Sequence, residues 1–189
     1  MTAKSYKIEF QPNIPEGLSG LTELANDLYY GWNSQVRKLF HCLDNSLWQT
    51  CKHNPKLFLR NISQAKLEEA LNEGNFKAEY ARVLSSYNAY RKLEMHAGFE
   101  NKLDPDNDLV AYLCLEFGFH ESVPIYSGGL GILAGDLCKA ASDMAIPFVA
   151  VGLLYRQGYF TQEVDGHGNQ VVHNIPTEFD NLPIKPCIS

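Results

Sequence analysis

The chain has no cysteine pairing pattern, no basic run and no long apolar stretch. Its five cysteines, Cys42, Cys51, Cys114, Cys138 and Cys187, are odd in number and none stands in a C-x-x-C pair. That disfavours a disulfide framework or a zinc site and points to a reducing, cytoplasmic compartment. No Cys/His group has metal-ligand spacing, so no bound metal is expected. Lysine and arginine are nowhere clustered, and the net charge is −6. Nucleic-acid binding, which needs basic patches to displace counterions, is therefore disfavoured. The opening Met1-Thr-Ala-Lys-Ser-Tyr-Lys7 lacks the apolar stretch of a secretory signal. No apolar segment is long enough to span a bilayer, and there is no internal repeat or low-complexity tract. What is present is 45% hydrophobic and 12% aromatic residues in 189 positions. This suffices for a packed core and for one domain or one and a half.

The first half reads as helical. Ser5–Phe10 is consistent with a short strand. Pro15 then suits a helix start, and Leu18, Leu21, Leu24, Ala25 and Leu28 recur at helical spacing. Trp32-Asn33-Ser34 breaks the pattern, and Asn33 or Ser34 can cap a helix carrying Val36, Leu39, Phe40 and Leu43. Asp44 or Asn45 can cap a short turn around Leu47 and Trp48. Asn54-Pro55 reads as a cap followed by proline at the first helical position. Ser63 precedes a helix that Gly74 is expected to end. The longest helix is expected from about Phe76 to His96, with Phe76, Tyr80, Val83, Tyr87 and Tyr90 on one face as a packing stripe. Gly98–Asp108 is polar, carries Asp104-Pro-Asp-Asn-Asp108, and is the expected domain boundary. It divides a helical domain, 1–107, from a second unit, 108–189.

After this boundary the pattern changes to α/β. A strand over Leu109–Leu115, a helix over Leu130–Met144 and a strand over Pro147–Leu154 make a βαβ unit, hence a parallel pair. Gly158–Gln162, Asp165-Gly-His-Gly168 and Gln170–His173 read as a glycine-turned hairpin. Between the first strand and the helix lies Glu116-Phe-Gly-Phe-His-Glu-Ser-Val-Pro-Ile-Tyr-Ser-Gly-Gly-Leu-Gly-Ile-Leu-Ala-Gly-Asp136. A strand, a glycine pair and a helix start together bring free backbone N–H groups to an anion. Gly128 and Gly129 let the backbone come close and can take φ > 0. The N–H groups of Gly129, Leu130 and Gly131 are then candidate phosphate donors. Glu116 stands at the C-terminal end of its strand, the edge where open parallel sheets bind ligands.

These residues resemble the α-glucan phosphorylases, which cleave glycogen, starch or maltodextrin with inorganic phosphate. The resemblance runs on through Asp143, Pro147 and Val151-Gly-Leu-Leu-Tyr-Arg-Gln-Gly-Tyr-Phe-Thr-Gln162, and covers roughly Val110 to Leu182. The first hundred residues look like the helical segment of one branch of that family. There the run is Leu24-Ala-Asn-Asp-Leu-Tyr-Tyr-Gly-Trp-Asn33, with Leu39-Phe40, Leu43-Asp44, Leu47-Trp48 and His53-Asn54-Pro55. The chain departs from the family at Leu137-Cys138, where a larger or polar residue is common first. It departs again at Gly118, where the animal-type branch has an aromatic residue beside its cofactor.

The resemblance implies a helical segment followed by the first part of a Rossmann-like domain, one of two in a glycosyltransferase of the B type. It implies transfer of a terminal α-1,4-glucosyl unit to phosphate, giving glucose-1-phosphate. It implies a substrate and phosphate loop at Gly128, Gly129 and Leu130, with Glu116 supporting it and Gly131 and Arg156 as further candidates. The family cofactor, pyridoxal phosphate, supplies its phosphate for proton transfer and is held by a lysine expected beyond this chain. An N-terminal fragment, inactive alone and partnered by the remaining C-terminal portion, is the expectation.

Other readings fit less well. A glycogen or starch synthase usually has a lysine just before its Gly-Gly-Leu loop, where Tyr126-Ser127 stands here. A dinucleotide-binding dehydrogenase would need G-x-G-x-x-G directly after the strand, and Gly131-Ile-Leu-Ala-Gly135 has the wrong spacing. A glucan-binding or regulatory module without activity is the non-enzyme alternative. His120 is expected to be a hydrogen-bonded surface residue. Asp136 and Asp143 share a helix face, but structural roles are expected for both rather than a glycosidase acid and base. Arg156 can clamp an anion bidentately or anchor the hairpin.

Overall fold

The computed structural model describes residues 11–96, 98–99 and 102–187; the strand expected over Ser5–Phe10 lies outside them. In the helical half, short polar side chains set the breaks. Asn33 Oδ1 accepts from the N–H groups of Gln35 and Val36, at 3.0 and 3.1 Å, and starts α2 (Ser34–Leu43). Asp44 caps α3 (Asn45–Thr50) through Leu47 N–H at 2.9 Å. Asn54 caps α4 (Pro55–Asn61) through Leu57 N–H at 3.0 Å, and Ser63 caps α5 (Gln64–Asn72). Each cap satisfies helix-end donors that would otherwise lack a partner.

Three helical expectations are corrected. The run from Pro15 to Leu28 is not one helix. It is a 3-10 turn (Glu16–Leu18), α1 (Gly20–Asn26) and a second 3-10 turn (Leu28–Gly31). The break falls at Asp27, whose carboxylate accepts from Tyr29 N–H, Tyr87 Oη–H and Arg91. Gly74 does not end α5; Glu73 closes it, and Gly74 opens α6 (Gly74–Tyr90). Helix α6 stops at Tyr90 rather than near His96. There the Tyr90 hydroxyl donates to Asp143 of the α/β half at 2.8 Å and lies 2.7 Å from the Ser142 hydroxyl.

The stripe on α6 packs as expected, with Phe76, Tyr80, Val83 and Tyr87 buried and Tyr90 half-buried. It closes a core with Leu18, Leu21, Leu24, Tyr30, Val36, Phe40, Phe58 and Leu67. Phe40 is fully buried, stacked on Trp48 with centroids 5.5 Å apart and edge-on to Phe58 at 5.7 Å.

The second half is α/β. Strand β1 (Val110–Leu113) pairs in parallel with β2 (Phe148–Val151), Val110 opposite Phe148, and α7 (Gly129–Asp143) connects them. Strands β3 (Thr161–Val164) and β4 (Gln170–His173) form the antiparallel hairpin. Its turn has Gly168 at φ +84°, and Asp165 accepts from His167 N–H and Asn169 N–H. The architecture is thus mixed helix with two small sheets. After the hairpin the chain returns to the helices. Asn54 Nδ2 donates to Asn181 O at 2.9 Å and Lys56 Nζ to Leu182 O at 2.7 Å. The two-stranded parallel sheet stays largely exposed on its apolar residues, Leu113 being 75% accessible. Among the described residues no helix is long and apolar enough to cross a membrane.

Truncating Phe40 removes a ring packed between two others. Phe40→Ala should cost about 3–5 kcal/mol. Urea denaturation followed by helical circular dichroism would measure it, and a shift below about 1 kcal/mol would show that the aromatic trio does not hold the core.

Candidate functional site

The site is built where the chain leaves β1 and enters α7. The loop between them folds back on the helix through Gly118, whose N–H donates to Gly131 O at 2.7 Å. The approach is close. A Cβ on Gly135 would lie 2.2 Å from Gly118 O, and one on Gly118 would lie 3.0 Å from Gly131 C and Ile132 N. Glycines four apart on α7 make a groove, and the loop backbone lies in it. The Gly131–Gly135 spacing that excludes a dinucleotide fingerprint is therefore a packing device. The glycine at position 118, where the animal-type branch of the resembling family has an aromatic residue, has the same cause: an added Cβ would meet Ile132 and the backbone of Gly131 at 2.9–3.0 Å.

Gly128 and Gly129 differ. Gly128 is the N-cap of α7, extended at φ −141°, and Gly129 is its first residue. Neither has positive φ, so the left-handed conformation considered for them is not used. A Cβ on either would meet nothing within 4 Å. No side chain caps α7, and its first turn carries no acidic residue of its own. The backbone donors of Gly129, Leu130 and Gly131 thus open a helix whose positive dipole end lacks a capping group.

Glu116 lies beside this turn. Its Oε2 accepts from Ser127 N–H at 2.7 Å and stands 3.3 Å from Ser127 Oγ. It also sits against Gly131, where an added Cβ would come within 2.9 Å of it. The carboxylate holds the residue before the glycine pair and occupies one flank of the helix start, leaving the Gly128–Gly129 flank open. A cavity of about 390 Å³ lies here, lined by residues including Glu116, Tyr126, Ser127, Leu130, Tyr155 and Tyr159. The structure thus brings Glu116, Gly128, Gly129, Leu130 and Gly131 together. Arg156 is exposed and is not among the lining residues, although Tyr155 and Gln157 on either side of it are. Its carbonyl accepts from Thr177 N–H at 2.7 Å.

Three tyrosines, Tyr126, Tyr155 and Tyr159, were not apparent as lining residues in the sequence. The only signal was their position beside Ser127-Gly128-Gly129 and around Arg156. Asp136 and Asp143 have structural partners, Lys139 at 3.3 Å and Tyr90 at 2.8 Å.

His120 is hydrogen-bonded as expected, but it is less exposed than a surface residue. It is half-buried against Tyr30, ring centroids 5.1 Å apart, and its Nδ1 accepts from Ser122 N–H at 3.2 Å. Burial pushes its pKa from the ordinary 6.5 down to about 4, with Arg37, His53 and Lys139 adding to the effect and Glu121 opposing it. Next to it, Glu121 pairs with His53 of the helical half.

Among known proteins, residues 14–123 match the family described as a protein of unknown function (DUF3417). The maltodextrin phosphorylase of Thermococcus litoralis is 38% identical over 178 residues, 94% of this chain and 21% of that protein. The glycogen phosphorylase of Mycobacterium tuberculosis is 38% identical over 164 residues, 84% of this chain and 19% of that protein. The glycogen phosphorylase of Aquifex aeolicus is 35% identical over 169 residues, 89% of this chain and 23% of that protein. The chain spans about a fifth of the length of these curated relatives. No solved structure gives a significant match.

Two predictions concern folding at this site. Gly135→Ala should lower the melting temperature, because overpacking against fixed backbone costs about 1–3 kcal/mol or more. Gly129→Ala should leave it unchanged or raise it, since alanine is the better helix former and meets open space. Equal melting temperatures for the two variants would contradict the groove. His120 gives a pH dependence. Between pH 6.5 and 4 the unfolded chain takes up a proton there that the folded chain refuses. Stability should therefore fall as pH drops through that window and level off below it as far as this group is concerned. His120→Asn, which keeps an acceptor near the Nδ1 position, should flatten that part of the denaturation profile; an unchanged profile would contradict burial of the neutral ring.

Proposed function

The chain belongs to the DUF3417 family and is homologous over most of its length to α-glucan phosphorylases, and from that premise we propose that it is the N-terminal part of such an enzyme. The reaction transfers the terminal α-1,4-glucosyl unit of a glucan to inorganic phosphate, giving glucose-1-phosphate. In this reading Gly128, Gly129 and Leu130 bring backbone donors to the phosphate, Glu116 holds the loop through Ser127, and Gly131 and Arg156 are further candidates. The observation that carries the reading is the uncapped start of α7, open at Gly128 and Gly129, beside a cavity that Ser127 before the glycine pair and Leu130 after it line. An anion there gains charge-assisted hydrogen bonds and about 1 kcal/mol from the helix dipole. Glycines needed only for packing would have a neighbour at the Cβ position, as Gly131 and Gly135 do. The tyrosines of the lining offer apolar faces to a sugar.

Pyridoxal phosphate, when bound in this family, supplies a phosphate group for proton transfer. The cavity lining contains no lysine, so these residues do not offer the cofactor a covalent anchor. By itself the chain presents one open wall of a cleft and is inactive, because positioning both reactants requires the opposing half. The remaining portion of the enzyme is the partner. It covers the exposed apolar residues of β1, α7 and β2, since parallel sheets are buried on both faces. A Rossmann-like sheet completed in this way, with the division between 1–107 and 108–189, is part of the proposal. Among the described residues the large buried cluster is confined to residues 18–87, which supports that division. So is a cytoplasmic location, consistent with free thiols at the five cysteines.

With the remaining portion supplied, Gly129→Ala places a methyl group where the anion approaches. Loss of aligned donors of this kind costs roughly 2.7–4 kcal/mol, so phosphorolysis of maltodextrin should slow on the order of a hundredfold or more. Full activity with unchanged phosphate dependence would make the loop a packing turn only.

A further inference from the structure

The loop that carries Glu116 and Gly118 is tied at its far end to the helical half. In the 3-10 turn Leu28–Gly31, Tyr30 is fully buried and its hydroxyl lies 2.7 Å from Ser122 Oγ. Ser122 Oγ is 2.9 Å from His120 Nδ1, which also accepts from Ser122 N–H. A neutral ring protonated on Nε2 leaves Nδ1 as the acceptor, which allows one consistent direction along the chain. Tyr30 donates to Ser122 Oγ, and Ser122 Oγ donates to His120 Nδ1. Arg37 of α2 holds the 3-10 turn by donating to the carbonyls of Tyr30, at 2.6 Å, and Gly31, at 3.0 Å. Gly31 is pressed on the loop, where an added Cβ would lie 3.2 Å from Phe119 O.

From this turn the connection to the glycine loop is short. Val123 N–H donates to His120 O and Phe117 N–H to Ile125 O, which closes residues 117–125 into a compact unit. Gly118 N–H then donates to Gly131 O in the first turn of α7. The buried hydroxyl contact is thus at one end of the unit, and the open helix start is at the other. The segment matched by the family of unknown function, residues 14–123, contains Tyr30 and ends just after Ser122.

We propose that Tyr30 and Ser122 are positioning residues, and that through them the helical half fixes the backbone donors of Gly129, Leu130 and Gly131 for the anion. This rests on the phosphate reading of the glycine loop given above. Neither residue touches the anion. Their contact ties the 117–125 unit to the helical half, and that unit holds Gly131. Removing the hydroxyl contact frees the unit while leaving the helical core intact, because the Tyr30 ring keeps its packing.

The test uses the full 189-residue chain with Tyr30→Phe, Ser122→Ala and the double variant. Amide hydrogen exchange is measured at Gly118 and Ser127, and at residues 80–87 of α6 as the internal reference. Inorganic phosphate is then titrated while the amide resonances of Gly129, Leu130 and Gly131 are followed. Each single variant should speed exchange at Gly118 and Ser127 on the order of fivefold, as expected for loss of one buried hydrogen bond. Exchange in α6 should not change. The double variant should match Ser122→Ala, which already removes the Tyr30 contact together with the bond to His120. The phosphate-induced shifts should weaken in parallel. Unchanged exchange at Gly118, equal acceleration in α6, or additive effects in the double variant would overturn the positioning role. If unsubstituted chain shows no phosphate-induced shifts, the phosphate reading fails and the proposal built on it is overturned, while the exchange data still decide whether the contact fixes the loop.

Discussion

The candidate site depends on how closely the backbone at Gly118 approaches α7. With Gly118 O where a Cβ on Gly135 would come within 2.2 Å, and Gly118 N–H bonded to Gly131 O, the loop has one place to lie. That placement sets Glu116 against Gly131 and within reach of Ser127. Ser127 in turn leads into Gly128 and Gly129 at the head of the helix. The same approach sends the chain on to His120 and Ser122, where it meets Tyr30. A helix start becomes a binding element only if something keeps the preceding chain from covering it, and here the glycine groove does so.

The two halves divide the physical work unequally. The helical half buries Leu21, Phe40, Phe58 and Tyr87 in one cluster and has caps at four of its helices. The α/β half buries Phe117, Val123, Ala134 and Ala141, but leaves Leu109, Leu113, Leu133 and Val164 largely exposed. Its polar ties run to the helices, through Tyr90 to Asp143, Glu121 to His53, and Asn181 to Asn54 and Arg60. The helical half therefore acts as a base for a smaller unit whose apolar surface is available to other chain. This fits a glycine loop held from one side and open on the other.

Burial at the junction also explains its chemistry. Partial burial disfavours the charged form of His120, and its Nδ1 accepts a hydrogen bond from Ser122 N–H. A charged imidazolium would place a donor against a donor. Tyr30 is likewise pushed above its ordinary pKa, chiefly by burial. Both groups hold position and do not exchange protons near neutral pH.

Much of the local structure was legible in the sequence because the forces that set it are local. Asn33, Asp44, Asn54 and Ser63 cap helices through atoms two or three residues away, and the β1–α7–β2 order follows from apolar runs and a glycine pair. The strand next to a Ser-Gly-Gly helix start also gave the position of the candidate site. What the sequence could not give depends on partners distant along the chain. Asp27 breaks the first helix because Tyr87 and Arg91 bind the same carboxylate. Helix α6 ends at Tyr90 because that hydroxyl meets Ser142 and Asp143. His120 looks like any loop histidine until Tyr30 covers it. The four glycines at 128, 129, 131 and 135 look alike in sequence. Only the tertiary structure separates the two that face open space from the two that face packed atoms, because the distinction lies in what occupies the place of a side chain that none of them has.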